Sequence, residues 1–490
     1  MSIFAKLNNR KFKYGAVATS VTIVVIAVIV VLNIIISILA DRFDLTYDMT
    51  PNKLYDISDE SIDFVKEIKD DIVITALLKE QEMQNSGEIL KQTNKMIEKI
   101  KNANSKIKVE YVDVEEKPAL AQKYSEDGLA GGGILIENKT RENRYKYIPY
   151  ASLFSTSYDQ YTGQESLQSI NSEREITSAL LVVTSAKTPK VEVVSGHGEK
   201  ASTALQDVLT KNNYTFSDIN LIEKDIAADT DFLLIYAPSN DFSDEELKKL
   251  DAFMSNDGKL GKNIFLCYSI TEKPLTKLDT FLKEWGISPE NFGYYETDES
   301  NMMSTQISQY PLSRFFVQGE DMSTGFKTDV YSLYLQSRYI KQLWENSGDK
   351  KTEIIVNTGE KNMLVPLDNP EWEPADDTEV GQYPIIVRSA QQKYDSDNNP
   401  LVSTIYVSGS YDVFEIIPLL SVNNGKLLLN MFNAQTGAES PLMIEDKTTQ
   451  VPSMTIDAGV VNVLGIVFMA IVPIGLVVVG IVIWVRRKRL

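Results

Sequence analysis

The sequence predicts an α/β body held between two transmembrane helices. Three observations predict it: an uncharged run near each end, basic residues on the outer flank of each run, and apolar strands alternating with amphipathic helices between them. From Gly15 to Ala40 no residue is charged, and Val and Ile dominate. This run exceeds the roughly 20 residues needed to cross a hydrocarbon core, as does a second uncharged run from Ala458 to Val485. Lys6, Arg10, Lys11 and Lys13 precede the first; Arg486, Arg487, Lys488 and Arg489 follow the second. Asp41, Asp44 and Asp457 lie on the inner sides. The positive-inside rule then puts residues 1–14 and 486–490 in the cytoplasm of a bacterial cell and residues 41–457 outside its membrane.

The first run is longer than the roughly 7–15 apolar residues of a cleaved signal peptide, and Ile38 stands where a small residue is wanted, so an uncleaved anchor is expected. Asn33 and Ser37 in the span 15–40, and Gly465, Pro473, Gly475 and Gly480 in 458–485, are expected to pack against partner helices. Small residues allow close approach, and a polar Asn prefers a protein neighbour. Gly and Pro are also simply commoner in membrane helices.

Residues 41–57 are polar and aromatic without a helical period, a connector. Ser58 is expected to cap a helix carrying Ile62, Val65 and Ile68. A strand at 72–78, an amphipathic helix over about 87–103, a strand at 107–114 and a short helix from Pro118 follow. Segments 131–138 and 144–150 look like a hairpin, and a helix from about 166 to 184 closes the unit. That order predicts a thioredoxin-like domain over 58–186, with no cysteine for thiol–disulfide exchange.

Pro189 marks a boundary. Residues 191–196 form a short strand into a glycine turn, before a helix at about 201–212 and an apolar strand at 232–238. The helix 243–256 has a strong start, because Ser243 and Glu246 have the spacing of a capping box. Another apolar strand covers 263–269. Alternating buried strands and helices predict an open parallel α/β sheet over 187–440, amidotransferase-like or flavodoxin-like. Residues 290–380 read as an irregular insertion with a helix around 330–345. Strands at 383–390 and 401–410 flank a turn, 425–434 is the last helix, and 441–457 is a second connector.

A net charge of −19 repels polyanions, so nucleic acid is not an expected partner. The single cysteine, Cys267, forbids an intramolecular disulfide and suits a bacterial envelope protein.

The one histidine, His197, lies in Ser195–Gly196–His197–Gly198–Glu199 at the carboxyl end of a strand, where open α/β sheets bind ligands. Gly196, His197, Gly198 and Glu199 are therefore a candidate ligand or interaction turn. Two readings stand side by side: a Ser/His or single-His metal site, and a tight turn in which the glycines supply backbone freedom and Glu199 caps or starts the next helix. No second histidine exists for a typical zinc site. Cys267 lacks a glycine-flanked nucleophile elbow and reads as a core residue. The turn Asp395–Asp397–Asn399 lacks the glycine and bidentate Glu of a calcium loop, having Pro400 and Tyr406 there. There is no G-x-x-x-x-G-K-[ST] motif for ATP. No catalytic residue, metal or cofactor is expected.

Taken in order, DLTYDMTPNKLYDIS (44–58), EREITSALLVV (173–183), VEVVSGHGE (191–199) and DTDFLLIYAPSNDFSDEELKKLDAFMSNDGKL (229–260) resemble one family. It is the gliding-motility (Gld G-type) auxiliary component of bacterial ABC-type exporters. Asp257–Gly258–Lys259 departs from its usual double glycine, and 290–380 has no counterpart. The resemblance implies a non-enzymatic subunit working with a separate ABC permease and a separate cytoplasmic ATPase, its domains gating or handling cargo. The alternatives are a membrane-anchored envelope scaffold or sensor/adhesion protein, and an envelope hydrolase using the His197 region.

Overall fold

A computed structural model describes residues 10–43, 48, 50, 53–124, 132–141, 144–158, 165–270, 273–305, 308, 310–328, 330–369, 371–375, 378–417, 422–437, 442–449 and 472–489. The chain divides into two compact units, Met1–Tyr55 with Ser157–Ser169 and Lys447–Leu490, and Asp56–Thr156 with Ile170–Asp446.

The first unit holds a helix at Arg10–Phe43, a helix at Val472–Arg489 and a small sheet in which Glu165–Ile170 is the middle strand. The expected body between two transmembrane helices needs correction. The fold is mixed α/β with several sheets, and among the described residues no helix is long and apolar enough to cross a membrane. The second helix ends in Arg486, Arg487, Lys488 and Arg489. The placement of both termini in the cytoplasm and of 41–457 outside the membrane falls with the spans.

The second unit contains two sheet modules. In the first module, helix α1 (Asp59–Glu67) precedes strand β1 (Ile72–Ala76), helix α2 (Glu88–Ala103), β2 (Ile107–Tyr111), β3 (Gly133–Asn138), β4 (Tyr145–Pro149) and helix α3 (Ser172–Thr184). The strand order is β2-β1-β3-β4, with β1 parallel to β2 and antiparallel to β3. Ile72 and Ile74 of β1 are fully buried against Ile97 and Ile100 of α2 and Ile176 and Leu180 of α3 in one apolar cluster. Spacings of three and four residues put those helical side chains on one stripe each.

The second module is built on a larger sheet. Its parallel part comprises β5 (Lys190–Ser195), β6 (Thr215–Asn220), β7 (Phe232–Tyr236), β8 (Asn263–Cys267) and, after two antiparallel strands β9 (Lys350–Asn357) and β10 (Pro384–Tyr394), β11 (Pro400–Ser408). Inward from a two-residue edge strand at Phe316–Val317, the order across the sheet is β9-β10-β11-β8-β7-β5-β6. Counting only the parallel strands, this is a 2-1-3-4-5 arrangement, reversing direction between β5 and β7. Helices α4 (Thr203–Lys211) and, much later, α8 (Asn424–Thr436) cover one face; α5 (Asp244–Ser255) and α6 (Thr276–Lys283) cover the other. β7 and β8 are buried at every residue, as strands covered on both faces must be. A short helix α7 (Asp412–Glu415) follows β11.

Three details differ from expectation. The stretch expected as a helix around 330–345 forms strands at Leu333–Tyr334 and Arg338–Gln342, each in a small antiparallel sheet. The helix expected from 166 starts at Ser172, its first residues being strand Glu165–Ile170 instead. The strand β6 and the strand Ile287–Glu296 carry polar residues at alternate or irregular positions, and no strand was expected at either.

Candidate functional site

The reversal between β5 and β7 is the place where an open α/β sheet forms a crevice at the carboxyl ends of its strands. The Ser195–Glu199 turn sits there, because it is the exit of β5. Gly196 and Gly198 have φ values of +114° and +71°, the region that glycine alone enters without cost. A Cβ on Gly198 would lie 2.2 Å from Ser239 Oγ. The carbonyl of His197 accepts from the amides of Ser239 and Asn240, both at 2.9 Å, pinning the turn to the chain that leaves β7.

The imidazole of His197 is 4% exposed and lies between two carboxylates. Nδ1 is 3.1 Å from Glu199 Oε1, and Nε2 is 3.0 Å from Glu246 Oε1. The second contact is an ion pair at good distance but out of line for a hydrogen bond, so Glu246 Oε1 has no aligned donor. Glu199 Oε2 also takes the His197 amide at 2.9 Å. Phe242 stacks on the ring with centroids 3.9 Å apart and planes 8° from parallel. Glu246 holds its place because its other oxygen closes the capping box of α5, accepting from Ser243 N and Oγ at 2.8 Å each.

Burial opposes charge on His197, yet the hydrogen bond to Glu199 and the field of Glu246 outweigh it and raise its pKa above the ordinary value. Burial likewise pushes Glu199 up, and the hydrogen bond from His197 outweighs it and lowers its pKa. Both shifts favour an imidazolium clamped by two carboxylates.

This arrangement limits what the turn can do chemically. Both ring nitrogens are engaged, so His197 is no base for a serine, and Ser195 Oγ donates to Ile219 O. The two carboxylates meet opposite edges of the ring and cannot share one ion. Among the described residues no group of three or more His, Cys, Asp or Glu is arranged to hold a metal. Glu199 does not cap the following helix, as one reading expected; it folds back onto His197. Cys267 is fully buried in the core on the other face of the sheet, where burial pushes its thiol well up. The Asp395 turn is closed by its own amides, Oδ1 accepting from Asp397 N and Asn399 N.

A second cluster joins two of the quoted motifs and was not anticipated. Glu173, 2% exposed, accepts from Ser58 N at 2.8 Å, Ser58 Oγ at 2.5 Å and Ser61 Oγ at 2.7 Å. The helix cap expected at Ser58 is present, with Ser61 N donating to its hydroxyl. Its spacing from Glu173, 115 residues, gives no local signal.

Of the expected packing candidates, Asn33 Nδ2 donates to Ile29 O at 2.9 Å within its own helix and so needs no neighbouring protein partner for that group. Pro473, Gly475 and Gly480 are exposed in the helix Val472–Arg489, and a Cβ on either glycine would meet nothing within 4 Å. The side chain of Ser37 and all of Gly465 lie outside the described residues.

Residues 188–265, which contain this turn, β7 and α5, match the model of a family described as an ABC-type uncharacterized transport system. Residues 51–153 match a domain of unknown function (DUF7088). No curated protein matches the chain. Among solved structures, a GMP synthase component from Thermoplasma acidophilum is 12% identical, with 52% of this chain and 96% of that chain covered and a TM-score of 0.26. PurLQS from Thermotoga maritima is 10% identical, with 51% and 99% covered and a TM-score of 0.25. Scores at this level carry no conclusion about fold or chemistry. The family match is specific to the stretch with the buried His197 clamp: residues 188–265 are similar to an auxiliary domain of ABC-type transport systems.

Proposed function

We propose that the chain is a non-catalytic accessory subunit of an ABC-type transport system, of the gliding-motility auxiliary kind, acting with a separate permease and a separate ATPase. The observation that carries this reading is the match of residues 188–265 to the transport-system family. The geometry at the turn is consistent with it: the crevice where a doubly wound sheet would take a ligand is filled by the protein's own His197, Glu199, Glu246 and Phe242. A scaffold so filled presents surfaces rather than a reaction centre, which suits a protein that handles or gates cargo moved by its partners.

Affinity purification of the full-length chain from its native cells in mild detergent tests this. Stoichiometric recovery of a permease and an ATPase is expected. Recovery of the chain alone, under conditions that keep other ABC assemblies intact, would refute it. The hydrolase reading predicts that His197→Gln abolishes activity in the folded protein; the clamp predicts loss of stability instead.

A further inference from the structure

The two sheet modules share no apolar core. Among the described residues, the clusters built around β1–β4 contain no residue beyond 183, and those of the second module contain none before 191. The modules are instead joined by polar contacts: Ser178 Oγ of α3 donates to the carbonyl of Lys211 of α4 at 2.7 Å and Glu175 pairs with Lys211 at 3.7 Å, while the others meet at Glu60 and at residues 442–446. Asn212 of the second module grips the backbone of Leu442, donating to its carbonyl and accepting from its amide, both at 3.1 Å. Met443 sits over Gly425, where a Cβ would come within 2.5 Å of its Cε. The Met443 amide then donates to Glu60 of α1 at 2.7 Å, and the same carboxylate oxygen takes Lys426 of α8 at 2.5 Å. Asp446 closes the run with Arg174 of α3 at 2.6 Å.

We propose that residues 442–446 are a releasable clasp: seated on the second module, they hold the first module through Glu60 and Arg174, and their release lets the modules turn about residues 185–189. Two features favour release over a permanent joint. Interfaces without a large apolar area permit relative motion by default. The Asp446 carboxylate is also incompletely satisfied, its Oδ1 being buried without a hydrogen-bond partner, so the closed state bears an uncompensated desolvation cost.

The test is a distance measurement between spin labels on the full chain, at Lys108→Cys in the first module and Lys248→Cys in the second. Both positions are exposed, and the native Cys267 is fully buried and stays unlabelled. One narrow distance is expected with the clasp intact. The pair Glu60→Gln and Arg174→Gln removes two charged partners, each shifting the closed-to-open ratio by about tenfold or more. A second or broadened distance should appear while the circular dichroism stays native. Raising salt from about 0.1 to 1 M, which shortens the screening length from about 10 to 3 Å, should move the clasp-intact protein the same way. A single unchanged distance in the folded double variant would overturn the proposal. If that variant does not fold, an unchanged distance across the salt series overturns it, and a salt-dependent second distance supports it. Because neither readout involves a transport partner, failure here leaves the accessory-subunit reading standing.

Discussion

Replacing His197 by Gln gives the sharpest test of the clamp at the β5–β7 crevice. The substitution removes the cation and leaves Glu199 and Glu246 buried, at 9% and 4% side-chain exposure, with their charge uncompensated. Removing one partner of a buried pair costs about 3–5 kcal/mol, and losing the stack on Phe242 adds about 0.5–1.5 kcal/mol. The expected loss of about 3.5–6.5 kcal/mol is a large share of the roughly 5–15 kcal/mol of a typical domain. Because two modules need not unfold together, the assay is hydrogen exchange resolved by peptide, comparing 191–199 and 239–250 with β1 and β3. Protection should fall by about three to five orders of magnitude in the first set and stay unchanged in the second. A loss of less than about 1 kcal/mol, the worth of an exposed pair, would refute the buried imidazolium.

The pH dependence follows from the directions of the shifts. A histidine with a raised folded-state pKa stabilises fully below its ordinary value of 6.5, and that contribution fades as pH rises through the raised value. Glu199, lowered from 4.5, stabilises above that value and loses its contribution as pH falls through the lowered one. The clamp is therefore strongest between about 4.5 and 6.5 and weakens on both sides. Two further outcomes are expected. Gly198→Ala places a Cβ against Ser239 Oγ at positive φ, and should destabilise the second module in urea titration by more than the about 1–3 kcal/mol of backbone strain alone, whereas Gly258→Ala, with open space at its Cβ, should cost only that strain. The Cys267 thiol, fully buried and shifted well up, should resist a thiol reagent until the second module unfolds; rapid labelling of the native protein would contradict its place in the core.

Elements whose signals are local were legible in the sequence. Ser243 and Glu246 announced the start of α5 because a capping box is written within four residues, and the unbroken apolar runs of β7 and β8 could only suit strands covered on both faces. The turn at Ser195–Glu199 was also legible as a special site, through its glycines and its position after a strand. Its content was not. The pairing of His197 with Glu246 spans 49 positions, and Glu246 had already been explained by its cap; nothing in the sequence shows that the second carboxylate oxygen is turned toward a ring. The small sheets of 290–380 were illegible for a different reason. In one of them the strands, such as Met302–Met303 and Leu312–Arg314, are too short for a two-residue period to show, and in the other the long strand Ile287–Glu296 has an irregular burial pattern broken by a register shift. The terminal spans were expected from the length and hydropathy of two uncharged runs, whereas among the described residues no helix is long and apolar enough to cross a membrane.

The clasp at 442–446 also fixes an order of events during synthesis. Met443 and Glu60 are 383 residues apart, so this contact closes one of the longest loops in the chain. Each module already owns a separate core by the time residue 443 is made, and domains condense as their own segments emerge. Fastening by the clasp is thus a late step: a chain ending between α8 and residue 442 would keep Ser178 on Lys211 and Glu60 on Lys426 but lack the contacts of Met443 and Asp446.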